Sequence, residues 1–192
     1  MQDPYVYPGT AVLRNMLGIT DGLALAQREG ELVFARTLQL HKRAIKGRFD
    51  LAHFRAIHRH LFQDVYSWAG EIRTVAISKG NTLFALPQYV EPYSDQLFAQ
   101  LTDEGQLKGL GHDEFAQRAA YYLGEINALH PFREGNGRTQ REFIAQLARE
   151  AGYVLDWTQV ERKVMIAASI QSAIGDSTLF EVMLRAISTP LA

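Results

Sequence analysis

A chain of 192 residues with 47% hydrophobic and 21% charged content can bury a substantial core, which excludes a wholly disordered protein. Its 20 Lys+Arg stand against 21 Asp+Glu, so no global charge draws it to nucleic acid or a membrane surface, and neither is expected as a direct partner. The absence of cysteine excludes disulfides, thiolate metal sites and thiol nucleophiles, and with neither a signal-like leader nor a membrane-length apolar run the expected location is cytoplasmic.

No repeat, low-complexity tract or linker divides the sequence, so it reads as one domain over residues 1–192: an N-terminal helical arm to about residue 45 and a core over about 50–190. Thr10 is an expected N-cap for a short helix carrying Val12, Leu13, Met16 and Leu17 and stopped by Gly18. Asp21 opens a longer helix towards Ala44, broken by Lys46-Gly47-Arg48, and Asp50 caps a third whose Leu51, Phe54, Ile57, His58 and Leu61 share one face. After Trp68-Ala69-Gly70 the β-branched Ile72, Val75 and Ile77 predict a strand, Lys79-Gly80-Asn81 a turn, and Thr82 to Ala85 a returning strand. Helical spacing resumes from Pro87 to Gly105, and again from Asp113, an expected cap, through Phe115, Ala119, Tyr122, Ile126 and Leu129. Pro131 ends that helix at His130, because it disfavours helical dihedrals before it and lacks a backbone donor. A loop to Asn136 leads to a helix starting near Gly137 and stopping at Gly152; two more are expected over about 158–173 and 176–188. The expected fold is all-α with one β-hairpin.

The chemistry concentrates in His130-Pro-Phe-Arg-Glu-Gly-Asn-Gly-Arg-Thr-Gln-Arg141. Gly135, Asn136 and Gly137 lie at a helix N-terminus, where unpaired N–H groups and the helix dipole favour an anion such as phosphate. Arg138 and Arg141, three apart, project from one side of the first turn; the dipole makes arginines unfavourable there unless an anion is present. Glu134 could share a Mg²⁺ ion with phosphate oxygens. His130 could take a proton from an attacking hydroxyl near neutral pH. Singly, each feature has a plain alternative: a histidine against a helix dipole, a Gly-Asn-Gly turn, solvated ions.

Together they match His-x-Phe-x-(Asp/Glu)-Gly-Asn-Gly-Arg-x-x-Arg, a coincidence expected by chance about once in 10¹⁰ starts. On this motif the chain resembles the Fic family, and Pro4-Tyr5-x-Tyr7-Pro8-Gly9-Thr10, Trp68-Ala69-Gly70 and the hairpin are similar to its compact, toxin-like bacterial members. The resemblance implies a mainly helical Fic fold with a flap beside the active site, and a protein adenylyltransferase that moves AMP from ATP to a Ser, Thr or Tyr hydroxyl of a target protein and releases pyrophosphate. It makes His130 the general base, Glu134 the Mg²⁺ ligand and Phe132 an inward anchor; Gly135, Asn136 and Gly137 cradle the α- and β-phosphates, and Arg138 and Arg141 hold the outer ones. The hairpin corresponds to the flap that pairs with the target, through Ser78, Lys79, Gly80, Asn81 and Thr82, with Phe84 as a clamp.

Trp68 and Phe98 read as core, and His53, His58, His60 and His112 as surface or packing histidines without zinc spacing. Alternatives are Fic-type transfer of the terminal phosphate, associated with Lys in place of the second motif Gly (here Gly137), and a non-catalytic target-binding module. By analogy the target is a type II topoisomerase subunit. Related enzymes are held off by (Ser/Thr)-x-x-x-Glu-(Gly/Asn), whose glutamate pairs with the second motif arginine; Ser67 to Glu71 and Ser177 to Glu181 come nearest but lack the final Gly or Asn. The expectation is therefore a toxin inhibited in trans by a small antitoxin that brings a glutamate to Arg141.

Overall fold

The computed structural model describes residues 3–80 and 82–191; Asn81, expected at the hairpin tip, lies outside the described residues. Two aspartates start the first helices as expected. Asp21 Oδ1 accepts from Ala24 N at 2.8 Å at the head of α1 (Gly22–Lys42), and Asp50 Oδ1 accepts from His53 N at 2.8 Å at the head of α2 (Leu51–Phe62). The short helix expected after Thr10 does not form. Thr10 Oγ1 accepts from Val12 N at 3.1 Å and donates to Tyr7 O, while Val6 bridges Leu13 antiparallel, so a side-chain turn displaces the helix.

The hairpin is confined to its tip: β1 (Ser78–Lys79) pairs antiparallel with β2 (Thr82–Leu83), Ser78 opposite Leu83 and Lys79 opposite Thr82. Ile72, Val75 and Ile77, expected in the first strand, stay outside the ladder, and Arg73 in that segment turns its side chain into the core. Next come α3 (Pro87–Asp103), α4 (His112–Leu129) and α5 (Asn136–Ala151). Gly111, not Asp113, is the N-cap of α4; Asp113 lies in the first turn with Glu114, where acidic charge suits the dipole.

After Gly152, which ends α5 in the left-handed conformation, β3 (Tyr153–Leu155) is followed by α6 (Arg162–Ser172), α7 (Thr178–Ile187) and β4 (Ser188–Pro190). The antiparallel β3–β4 pair was not foreseen, because three-residue strands carry no alternation to read. Asp156 holds Thr158 in a separate 3₁₀ turn through a 3.0 Å bond from Thr158 N, so α6 starts later than expected. α4 is central, packing most extensively on α7 and also on α3, α5 and α6. Phe115, Ala119, Tyr122 and Ile126 on α4 and Phe143, Ile144 and Leu147 on α5 are fully buried, and Trp68 and Phe98 are core residues as expected.

Candidate active site

His130 follows the last turn of α4 with φ 46° and ψ 61°, a left-handed backbone that costs a non-glycine residue about 1–2 kcal/mol. Its N–H still closes the helix on Ile126 O at 3.1 Å. Nδ1 lies 3.2 Å from Asn127 O, and since a carbonyl only accepts, Nδ1 carries the proton of the neutral ring and Nε2 keeps its lone pair. Burial, helped by the charges of Arg73 and Lys79, pushes the imidazole down to about 4 against the carbonyl bond that raises it. The ring is therefore neutral at pH 7. Phe84 on the hairpin stacks on it, centroids 3.7 Å apart and planes 17° apart.

The loop after His130 is held from inside. Phe132 is fully buried, and Asn136 spends its side chain on that residue: Oδ1 accepts from Phe132 N at 2.9 Å and Nδ2 donates to Phe132 O at 2.7 Å. His58 stacks on Phe132 at 3.8 Å, accepts from Gly70 N through Nδ1 at 2.8 Å and so donates from Nε2 to Glu134 O at 3.0 Å. This histidine was expected only to pack; it ties the motif loop to the Trp68-Ala69-Gly70 turn. The hydrophobic spacing of α2 marked it as buried but could not show what its nitrogens meet.

At the loop's other end the α5 N-terminus has no side-chain cap, and its first helical bond runs from Thr139 N to Gly135 O. The N–H groups of Asn136, Gly137 and Arg138 accordingly have no intrahelical partner and face the anion position. Asn136 contributes only its backbone to that cradle, since its side chain is engaged. Arg141 lies against the same end: a Cβ on Gly137 would sit 3.7 Å from its Nη1. Among the described residues no carboxylate comes within 4 Å of Arg141, and burial together with Arg138 pushes its guanidinium below the ordinary value. A half-buried cation without a counter-ion, at the positive end of a helix, is a site that an anion would complete.

Arg138 is already paired. Its Nη2 donates to Glu29 Oε1 on α1 at 2.6 Å and more weakly to Glu134 Oε1 at 3.3 Å, and the guanidinium lies 4.7 Å above the Phe62 ring. Glu29, whose side chain is 9% exposed, also accepts from Tyr66 Oη. Glu29 thus fixes the first motif arginine, a role that an isolated acid on an amphipathic helix did not signal. It is followed by Gly30 but has Leu25 in place of Ser or Thr, and it meets Arg138 and not Arg141. Glu29→Ala should lower stability by about 1–3 kcal/mol, discounted for the partial exposure of Arg138, with Arg138 losing its fixed position. Denaturant unfolding checks this; an unchanged midpoint would show that the pair contributes nothing.

Glu134 is half-exposed; Oε1 accepts from Gly135 N at 2.8 Å, and Oε2 takes no hydrogen bond among the described residues. No group of three His, Asp or Glu is placed to hold a metal among those residues. One such carboxylate beside a phosphate position fits Mg²⁺ shared with ligand phosphates, not a protein-only cage. On the hairpin, Ser78, Lys79 and Gly80 are exposed and Thr82 is half-buried, whereas Phe84 is turned inward onto His130.

The Fic/DOC family model matches residues 48–148. Over 95% of its length the chain is 52% identical to protein adenylyltransferase VbhT of Bartonella schoenbuchensis, of which it spans only 38%. It is 43% identical to the probable protein adenylyltransferase Fic of Salmonella typhimurium, covering 97% of this chain and 93% of that one. The crystal structure of the BepC protein of Bartonella tribocorum, with bound AMPPNP, superposes with a TM-score of 0.93 at 29% identity, covering 98% of this chain and 97% of that one.

Proposed function

This chain belongs to the Fic/DOC family and is a nucleotidyltransferase, and from that premise we propose that it transfers AMP from ATP to a Ser, Thr or Tyr hydroxyl of a protein. The observation that carries this reading is a single loop bracketed by a neutral His130 with Nε2 available and by the N-terminus of α5, beside which Arg141 has no carboxylate partner among the described residues. Nε2 takes the hydroxyl proton as the oxygen attacks the α-phosphorus; the new P–O bond forms in line with the one that breaks, and pyrophosphate leaves with that electron pair. The N–H groups of Asn136, Gly137 and Arg138 hold phosphate oxygens, and Arg141 supplies charge to the outer phosphates. Glu134 would hold Mg²⁺, which adds charge neutralisation of the phosphates when bound.

Incubation with α-labelled and with γ-labelled ATP and an acceptor lysate tests the proposal. Label on protein from the α position supports it; label from γ alone indicates phosphotransfer, and label from neither a binding module. Gly137, with no lysine in its place, favours the first outcome.

The low value at His130 predicts a pH profile. Because the neutral ring is the active form, kcat/KM should stay level as the pH falls from about 8 to 5 and decline only near 4, not near the ordinary 6.5. Burial holds His58 down to about 3, so its contribution to stability is complete above about 6.5 and is lost as the pH falls towards 3; thermal melts at each pH separate unfolding from titration. A midpoint near 6.5 with the fold intact would show that burial does not depress His130, and its persistence in His130→Ala would reject His130 as the titrating base.

We further propose that the target lies along the hairpin over residues 78–82 and, by analogy, is a type II topoisomerase subunit acting in the cytoplasm. Restraint would come in trans from a small antitoxin protein whose glutamate meets Arg141. The free guanidinium supports this, and the growth of cells expressing the chain alone tests it: harmless expression of a correctly folded chain would rule the restraint out.

A further inference from the structure

Arg73 is among the largest fully buried side chains, 1% exposed, and among the described residues no carboxylate lies within 4 Å of it. Its side-chain partners among the described residues are all carbonyl oxygens. Nε donates to His130 O at 2.8 Å, Nη1 to Val75 O at 2.7 Å, and Nη2 to Ala85 O and, at 3.2 Å, to Leu129 O. Its own N–H donates to Pro131 O at 2.9 Å. Leu129 and His130 offer two of the orphan carbonyls at the negative end of α4, so the helix terminus serves as the counter-ion. Val75 and Ala85 lie on the segments that lead into and out of the hairpin, which is tied to α4 once more by Ala85 N donating to Ala128 O at 3.1 Å.

One planar fork therefore joins the segments on both sides of the hairpin to the backbone of the residue that carries the base. A guanidinium can do this because its donors diverge in a fixed plane; an ammonium cannot reach the same carbonyls together. The left-handed backbone of His130 is offset by the bonds its carbonyl and that of Pro131 accept.

We propose that Arg73 is a positioning residue for transfer: it fixes His130 and the hairpin in one register, so that a hydroxyl presented by the hairpin meets Nε2. This rests on the adenylyltransferase reading. A 1 Å misplacement of reacting groups costs about 10²-fold in rate, which sets the scale of the effect.

The test is Arg73→Lys, which keeps the charge at the end of α4 and removes the fork. We expect kcat for acceptor modification to fall by about 10²-fold at saturating ATP, with ATP affinity by calorimetry unchanged within about twofold. A folded variant with wild-type kcat, or with a loss confined to ATP affinity, overturns the proposal. Ring ¹⁵N resonances of His130 give a readout independent of turnover: the wild type should show one tautomer with the proton on Nδ1, and Arg73→Lys a mixture. Unchanged resonances overturn the role even if the wild-type chain labels no protein, a failure that would fall on the functional reading alone. Should Arg73→Lys not fold, the wild type decides: the Arg73 Nε–H must exchange with solvent far more slowly than those of exposed arginines, and rapid exchange overturns the proposal.

Discussion

His130→Ala is expected to reduce AMP transfer by about 10²–10⁴-fold while ATP affinity stays within a few-fold of wild type. The two effects separate because the imidazole and the anion position occupy opposite ends of the loop: Nδ1 is spent on Asn127 O, and the phosphate-facing N–H groups belong to the first turn of α5. The loop should survive the change, since its anchors are the Asn136 amide, His58 and the buried Phe132. Initial rates with a modified acceptor, set beside calorimetric titration of ATP, check both halves. Near-full transfer by the variant would remove His130 from the mechanism, and a parallel collapse of ATP binding would mean that the ring supports the nucleotide instead.

Gly135→Ala should damage the fold and the site together. With φ +80° the backbone is in the left-handed region, which costs an alanine about 1–2 kcal/mol. The added Cβ would lie 2.2 Å from Phe62 Cζ and 2.4 Å from its Cε2, an overlap worth a further 1–3 kcal/mol or so. Phe62 cannot yield freely, since His58 stacks on it at 4.6 Å and the Arg138 guanidinium covers it. The expected total is roughly 2–5 kcal/mol of lost stability, with ATP binding lost as the α5 N-terminus shifts. Gly137→Ala is the contrast. Its Cβ meets only Arg141 Nη1 at 3.7 Å, so stability should change by less than about 0.5 kcal/mol while ATP binding weakens, because the methyl intrudes where phosphate approaches. Equal stability losses for the two variants would refute this assignment of the two glycines.

The contrast also marks how far the sequence could be read. Gly135, Gly137, His130 and the two arginines stood out because a continuous motif puts rare combinations at fixed spacing, and helix spacing with Asp21, Asp50 and Gly152 located most of the scaffold. The supporting groups were not legible. Glu29, His58 and Arg73 come from three separate segments, and their roles depend on which carbonyls and cations the fold brings to them. A buried arginine bonded only to backbone has no acidic partner whose spacing could betray it. The early Thr10 segment was misread for a related reason: its side chain competes locally with the helix, and the sequence does not show which bond wins. The Asn136 side chain holds the loop closed, which leaves its backbone N–H for the anion position, a division of labour the motif alone does not show.

The motif loop and the head of α5 take their supports from earlier in the chain: Asp3 on Arg133, Glu29 on Arg138, His58 on the Glu134 carbonyl, Arg73 on the His130 carbonyl. During synthesis, then, every one of these supports has left the ribosome before the loop does. The most extensive packing partner of α4 is α7, which is made after both. Since the loop begins where α4 ends, a nascent chain halted before α7 holds all the chemical groups of the site on a helix that lacks its main neighbour. Competence for nucleotide should therefore arrive late in translation, with the emergence of α7 and not with that of the motif.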